Sequence, residues 1–81
     1  MVKTREELLE VLLNSVKEHG EVEIEESNFS TNLVDLGVDS ISAVEVANDM
    51  EDFLDIEIDD RDIAKFVSIE AIVKYFEEAQ K

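Results

Sequence analysis

An all-α fold, a four-helix bundle of three main helices and one short one, is what three features of these 81 residues predict. Apolar residues recur at helical spacing in three separate stretches, capping residues stand at the head of each helical stretch, and the one segment that alternates like a strand has no second strand to pair with. A chain of this length forms one domain, residues 1–81, burying only about 60% of its unfolded surface.

The first helix is predicted over Arg5 to Glu18. Thr4-Arg5-Glu6-Glu7 is a capping box, Leu8, Leu9, Leu12, Leu13 and Val16 follow at helical spacing, and Gly20 is a plausible C-cap. From Gly20 to Asp39 no period is sustained: Val22-Glu23-Ile24 is the isolated strand-like segment, and Phe29, Leu33 and Leu36 are spaced as anchors tying a long loop to a core. A loop of this length in a compact domain is usually functional. After Asp39, Ala43, Val46, Ala47, Met50, Phe53 and Leu54 fall on one stripe and define the second main helix. Asp55 to Asp59 is a second loop, Asp60 is placed to cap a short helix over Arg61 to Phe66, and Ser68 to cap the last, whose stripe is Ile69, Ile72, Val73 and Phe76.

Composition removes several function classes. Twenty-two acids against seven bases give a net charge of −15, which argues against nucleic acid as a partner. Without cysteine there is neither a disulfide nor a thiolate metal site. The opening M-V-K-T-R-E-E has no apolar signal region and no eighteen apolar residues run together, so a soluble, cytoplasmic, monomeric protein without membrane insertion is expected. The acids are unevenly placed: between Lys17 and Arg61 there is no lysine or arginine, and fifteen acids. Such runs are most often solvated faces, yet a field of this kind attracts and orients basic partners, and its self-repulsion predicts that salt or divalent cations stabilise the fold.

Two candidate sites fail on their residues. Asp35, Gly37 and Asp39 alternate as in a calcium loop, but the sixth and twelfth positions, which need glycine and glutamate, are Ser40 and Val46. His19, the only histidine, lies in the last turn of the first helix, where a cation suits the helix dipole; no cysteine or second histidine completes a catalytic or zinc site, so an enzyme is not expected.

The helix opening near Ser40 is more informative. At 100° per residue, Ile41, Glu45, Asn48 and Asp52 point away from the core stripe, Val44 lies on its flank and Asp49 borders them. An apolar spot rimmed by carboxylates suits a basic partner with an apolar centre, although a single exposed isoleucine is by itself ordinary. Ser40 sits where free N–H groups and the helix dipole favour an anion; by position alone, Asp39 or Ser40 is simply the N-cap.

The surrounding residues resolve this. D-L-G-V-D-S-I, Asp35 to Ile41, closely resembles the phosphopantetheine attachment motif of acyl carrier proteins, an Asp-Ser-Leu after a Leu-Gly pair. V-E-V after the motif and D-I-E-I-D-D before the third helix are similar to that family too, and the resemblance spans essentially the whole chain. It implies a bundle of acyl-carrier-protein type in which Ser40, with Asp39 left to cap the helix, receives 4′-phosphopantetheine from coenzyme A through a phosphopantetheinyl transferase. The arm's thiol then holds acyl groups as thioesters for fatty-acid biosynthesis, specialised lipid or polyketide synthesis. It further implies docking of acyl-synthesis and acyl-transfer enzymes, through their basic patches, on Ile41, Val44, Glu45, Asn48, Asp49, Glu51 and Asp52. Val46, Ala47, Met50, Leu54 and Ile69 are the implied lining of an acyl-chain cavity. Ile41 replaces the usual leucine, Asp59 stands where proline is frequent, and Asn48 and Asp49 stand where common fatty-acid carriers are apolar, giving a more polar docking face. The alternatives are an aminoacyl or peptidyl carrier and, from another class, an acidic helical adaptor for basic proteins.

Overall fold

The computed structural model describes residues 3–80; Met1, Val2 and Lys81 lie outside the described residues. Three α-helices, α1 (Arg5–Gly20), α2 (Ser40–Leu54) and α3 (Ile69–Ala79), are joined by two long connections, each holding a short 3₁₀ segment. The three main helices and one short one match the predicted bundle, and no strand occurs among the described residues.

The capping box at the start of α1 is formed: Thr4 Oγ1 accepts the Glu7 N–H at 3.2 Å and Glu7 Oε1 accepts the Thr4 N–H at 3.1 Å. At its other end the expectation is corrected. The helix runs on through Gly20, and it is Glu21 that takes the left-handed cap at φ 56°, its N–H donating to the Lys17 carbonyl at 3.1 Å. The reason is tertiary: the Ser42 hydroxyl, on α2, donates to the His19 carbonyl at 3.2 Å and satisfies a group that the helix end leaves open.

The first connection is tied down at two points. The Leu33 N–H donates to the Val67 carbonyl at 2.8 Å, and the Glu70 N–H donates to the Phe29 carbonyl at 3.0 Å. Leu33 and Val38 are buried, with Phe29, Leu36, Val22 and Ile24 packed against the core from its edge. Gly37 has φ +94°, a conformation strained for any residue with a Cβ, and it reverses the chain just before α2.

In the second connection the short helix is a 3₁₀ helix, Asp60–Lys65, and its cap is Asp59, not Asp60. Asp59 Oδ1 accepts the Arg61 N–H at 2.9 Å while its other oxygen pairs with the Arg61 guanidinium at 2.9 Å. The residue standing where proline is frequent thus restrains this loop by capping. Glu51 adds a second restraint, accepting the Ile58 N–H at 2.8 Å. The Tyr75 hydroxyl donates to Asp62 at 2.8 Å, and Phe66 packs its ring 5.0 Å from that of Tyr75, so α3 holds the 3₁₀ helix in place.

α3 is capped by Ser68, whose hydroxyl accepts the Ala71 N–H at 3.1 Å. Leu8, Leu12 and Val16 of α1, Val46, Ala47 and Met50 of α2, and Ile69, Ile72, Val73 and Phe76 of α3 close the core. Leu9 and Leu13, on the same sequence stripe, lie at its margin. Arg5 bridges Glu70 and Glu77 at 3.1 and 3.0 Å and joins α1 to α3. No helix among the described residues is long and apolar enough to cross a membrane.

Candidate functional site

Asp39, the residue before α2, has extended backbone and turns its carboxylate back to accept the Ser42 N–H at 2.8 Å. This bond holds the Asp39 carboxyl below its ordinary pKa. The cap is therefore ionised at neutral pH, and the capping question left open by position is settled for Asp39. Ser40 is then the first helical residue. It is exposed, and its hydroxyl has no hydrogen-bond partner among the described residues. The N–H groups of the first turn have no acceptor inside the helix, so a phosphate ester on Ser40 would meet the positive end of the α2 dipole.

Ser40 also stands on the rim of an apolar cleft of about 360 Å³, between the first connection, the start of α2 and the 3₁₀ helix. Leu33, Val38, Ala43, Ile63, Phe66 and Val67 line it, with Asn32, Asp39 and Asp60 as polar edges. None of Val46, Ala47, Met50, Leu54 and Ile69 does. Four of those five are at most 2% exposed, packed into the core, and Leu54 is half-buried.

The exposed large hydrophobics gather at the same place. Ile41 is 71% exposed beside Ser40, and Val34, Val44 and Val67 are exposed along the cleft. Val34 and Val67 were not predicted from sequence. They belong to two loops brought together by the bond from the Leu33 N–H to the Val67 carbonyl, a contact between residues 34 positions apart that no local pattern announces.

The polar residues of the outward side of α2 fall into two groups. Glu45, Asn48 and Asp52 are exposed, with Asn48 and Asp52 free of partners among the described residues. Asp49 turns toward α1, where it accepts from the Ser15 hydroxyl at 2.6 Å and meets His19 Nε2 at 2.9 Å. Glu51 turns toward the second connection to hold Ile58. His19, expected only to complement the α1 dipole, instead links α1 to α2: its Nδ1 lies 2.9 Å from Glu45 Oε2.

A family model described as a phosphopantetheine attachment site matches residues 10–76. The chain is 47% identical over 47 residues to an acyl carrier protein of Campylobacter lari, covering 58% of this chain and 61% of that one. It is 30% identical over 70 residues to an acyl carrier protein of Syntrophus aciditrophicus, covering 86% and 84%. Against a non-reducing polyketide synthase of Didymella fabae it is 33% identical over 57 residues, 70% of this chain and 2% of that protein.

Proposed function

The chain belongs to the acyl carrier protein family, whose members hold a covalently attached 4′-phosphopantetheine, and from that premise we propose that Ser40 is the attachment residue of a non-catalytic acyl carrier. The observation that carries this reading is the state of Ser40: an exposed hydroxyl without partners among the described residues, at a helix start already capped by Asp39, on the rim of an apolar cleft. The bound group supplies a terminal thiol on a flexible arm, which holds acyl groups as thioesters in a protein that has no cysteine of its own.

The chain's own residues position and shelter. Asp39 fixes the first turn of α2, and with it the place of Ser40 at the helix start. Ser40 has no base paired to it among the described residues, because the only histidine is held by Glu45 and Asp49. Its proton is therefore taken by the phosphopantetheinyl transferase as Oγ forms an ester bond to the phosphopantetheine phosphorus of coenzyme A; the pyrophosphate P–O bond breaks and adenosine 3′,5′-bisphosphate leaves. Ile41 and Val44 give apolar contact to partners, while Glu45, Asn48 and Asp52 present the polar and negative part of the face to basic patches on acyl-synthesis and acyl-transfer enzymes. Asp49 and Glu51, both half-buried, support this face through their bonds to α1 and to the second connection. The protein acts as a cytoplasmic monomer.

The cleft favours an acyl over an aminoacyl cargo, since carbon chains gain about 0.8 kcal/mol per buried CH₂ and a charged amine loses on entering apolar surroundings. Fatty-acid, specialised lipid and polyketide synthesis all use such cargo. The test compares the arm-bearing protein charged with a medium-chain acyl group and with glycine. The acyl form is expected to melt higher; equal melting would remove the preference.

A further inference from the structure

His19 sits on α1 with a carboxylate of α2 at each ring nitrogen: Asp49 Oδ2 lies 2.9 Å from Nε2, and Glu45 Oε2 lies 2.9 Å from Nδ1. The contact with Asp49 is a hydrogen bond and that with Glu45 an ion pair; a neutral imidazole has one N–H and no charge, so it cannot serve both carboxylates. The imidazolium alone satisfies both. Every charged group facing the ring is acidic: Glu45 and Asp49 from α2, Glu18 from α1. The neighbouring Lys17 is turned to Glu23, 2.9 Å away. The other polar contacts are neutral, the Ser15 hydroxyl on Asp49 and the Ser42 hydroxyl on the His19 carbonyl.

A second observation is independent of the ring's geometry. Among the described ion pairs, the lysines and arginines serve Glu23, Asp59, Asp62, Glu70 and Glu77, and none reaches an acid of α2. Among the described residues His19 is thus the sole cation paired with an acid of the helix that carries Ser40, and one of its two partners, Glu45, belongs to the proposed docking face.

We propose that His19 is a proton-operated regulator of that face: charged, it holds Glu45 against α1 and cancels part of the negative charge that a basic partner meets; uncharged, it releases Glu45 to the partner. The proposal rests on the reading of the outward side of α2 as the docking surface. The Asp49 hydrogen bond, with the charges of Asp49, Glu45 and Glu18 behind it, raises the His19 pKa while partial burial opposes the rise. The changeover therefore falls above the ordinary histidine value of about 6.5.

The test is the rate of Ser40 modification by a carrier-protein transferase at subsaturating substrate, for wild type and His19→Gln, from about pH 6 to about pH 9 at low salt. Taking the ratio of variant to wild type cancels the transferase's own titration. The ratio is expected to be roughly two- to five-fold at the acid end, to fall to one at the alkaline end, and to flatten in high salt. With Glu45→Gln as background, it is expected to lie near one throughout. A ratio near one at all pH values, in a variant with native circular dichroism, overturns the proposal. NMR of the unaltered protein decides independently of the variant's folding: the Glu45 side-chain carboxyl signal is expected to move with the His19 ring titration, and a Glu45 signal indifferent to it overturns the proposal. A wild-type chain that accepts no arm at any pH overturns the carrier reading itself, a different failure from a flat ratio in a chain that is modified.

Discussion

Asp39 Oδ1 accepts the Ser42 N–H at 2.8 Å, so α2 is capped from outside and the Ser40 hydroxyl is spared that duty. Asp39→Ala is therefore expected to fray the first turn and slow modification of Ser40, whereas Asp39→Asn, which can still cap, keeps most of both. Amide exchange at Ser42 and Ala43 reads the fraying directly. The sign of the acid response follows from the lowered Asp39 pKa. The capping contribution is complete above the unfolded carboxyl value, near 3.9, and is lost as pH falls through the lower folded value.

The His19 bridge has the opposite sign. Its folded pKa is raised, so its stabilisation is complete below about pH 6.5 and is lost as pH rises through the folded value. Wild-type melting temperature is expected to fall across neutral to mildly alkaline pH, and His19→Gln to show a flatter profile. Among side chains this window belongs to His19: it is the only histidine, there is no cysteine, and Tyr75 is pushed up to about 12 by burial and its bond to Asp62. Melting curves at several pH values, at constant ionic strength, check it.

Gly37→Ala places a Cβ on a residue at φ +94°. The space there is adequate, with only a Val22 methyl at 3.8 Å, so the penalty is conformational. A left-handed backbone costs an L-residue roughly 1–2 kcal/mol, and each kcal/mol is about 4–8 °C in a domain of this size. The variant is expected to melt lower by that order and to present Ser40 less uniformly, which differential scanning calorimetry and transferase kinetics would register together.

Helical periodicity made the bundle legible before any coordinates, because α1, α2 and α3 each bury a stripe and that burial, more than local propensity, holds them helical. The caps at Thr4 and Ser68 were legible from local sequence, and that of α2 only as Asp39 or Ser40 until the motif assigned it to Asp39. All but one of the misses were tertiary, the exception being the cap of the short helix, where Asp59 and Arg61 pair two residues apart. Gly20 is not the cap of α1, since Ser42 of α2 completes that helix end. The cap of the short helix moved from Asp60 to Asp59, whose carboxylate also reaches the Arg61 guanidinium. At the candidate site, the motif singled out Ser40 and Ile41, which are exposed at the start of α2. Val34, Val67 and the His19 link depend on which loops and helices meet, and a one-dimensional pattern does not record that.

Charge reversal at Glu45 or Asp52 is expected to slow arm transfer mainly at low salt, since exposed charge acts on association rate and is screened over about 8 Å at physiological ionic strength. Ile41→Ala is expected to slow it with little salt dependence, because the lost contact is apolar. Glu51→Gln differs from both: it weakens the hold on the Ile58 N–H, so its expected effect is on melting more than on docking. Stopped-flow or discontinuous transferase assays across a salt series separate the three.

The most direct measurement of the central claim is the intact mass, followed by peptide mapping, of the protein incubated with a carrier-protein transferase and coenzyme A. Wild type and Ser42→Ala are expected to gain one 4′-phosphopantetheine, mapped to the peptide containing Ser40. Ser40→Ala is expected to keep native helicity, through the Asp39 cap, and to gain nothing. An arm on Ser40→Ala, or an arm mapped to another residue of the wild type, would contradict the assignment.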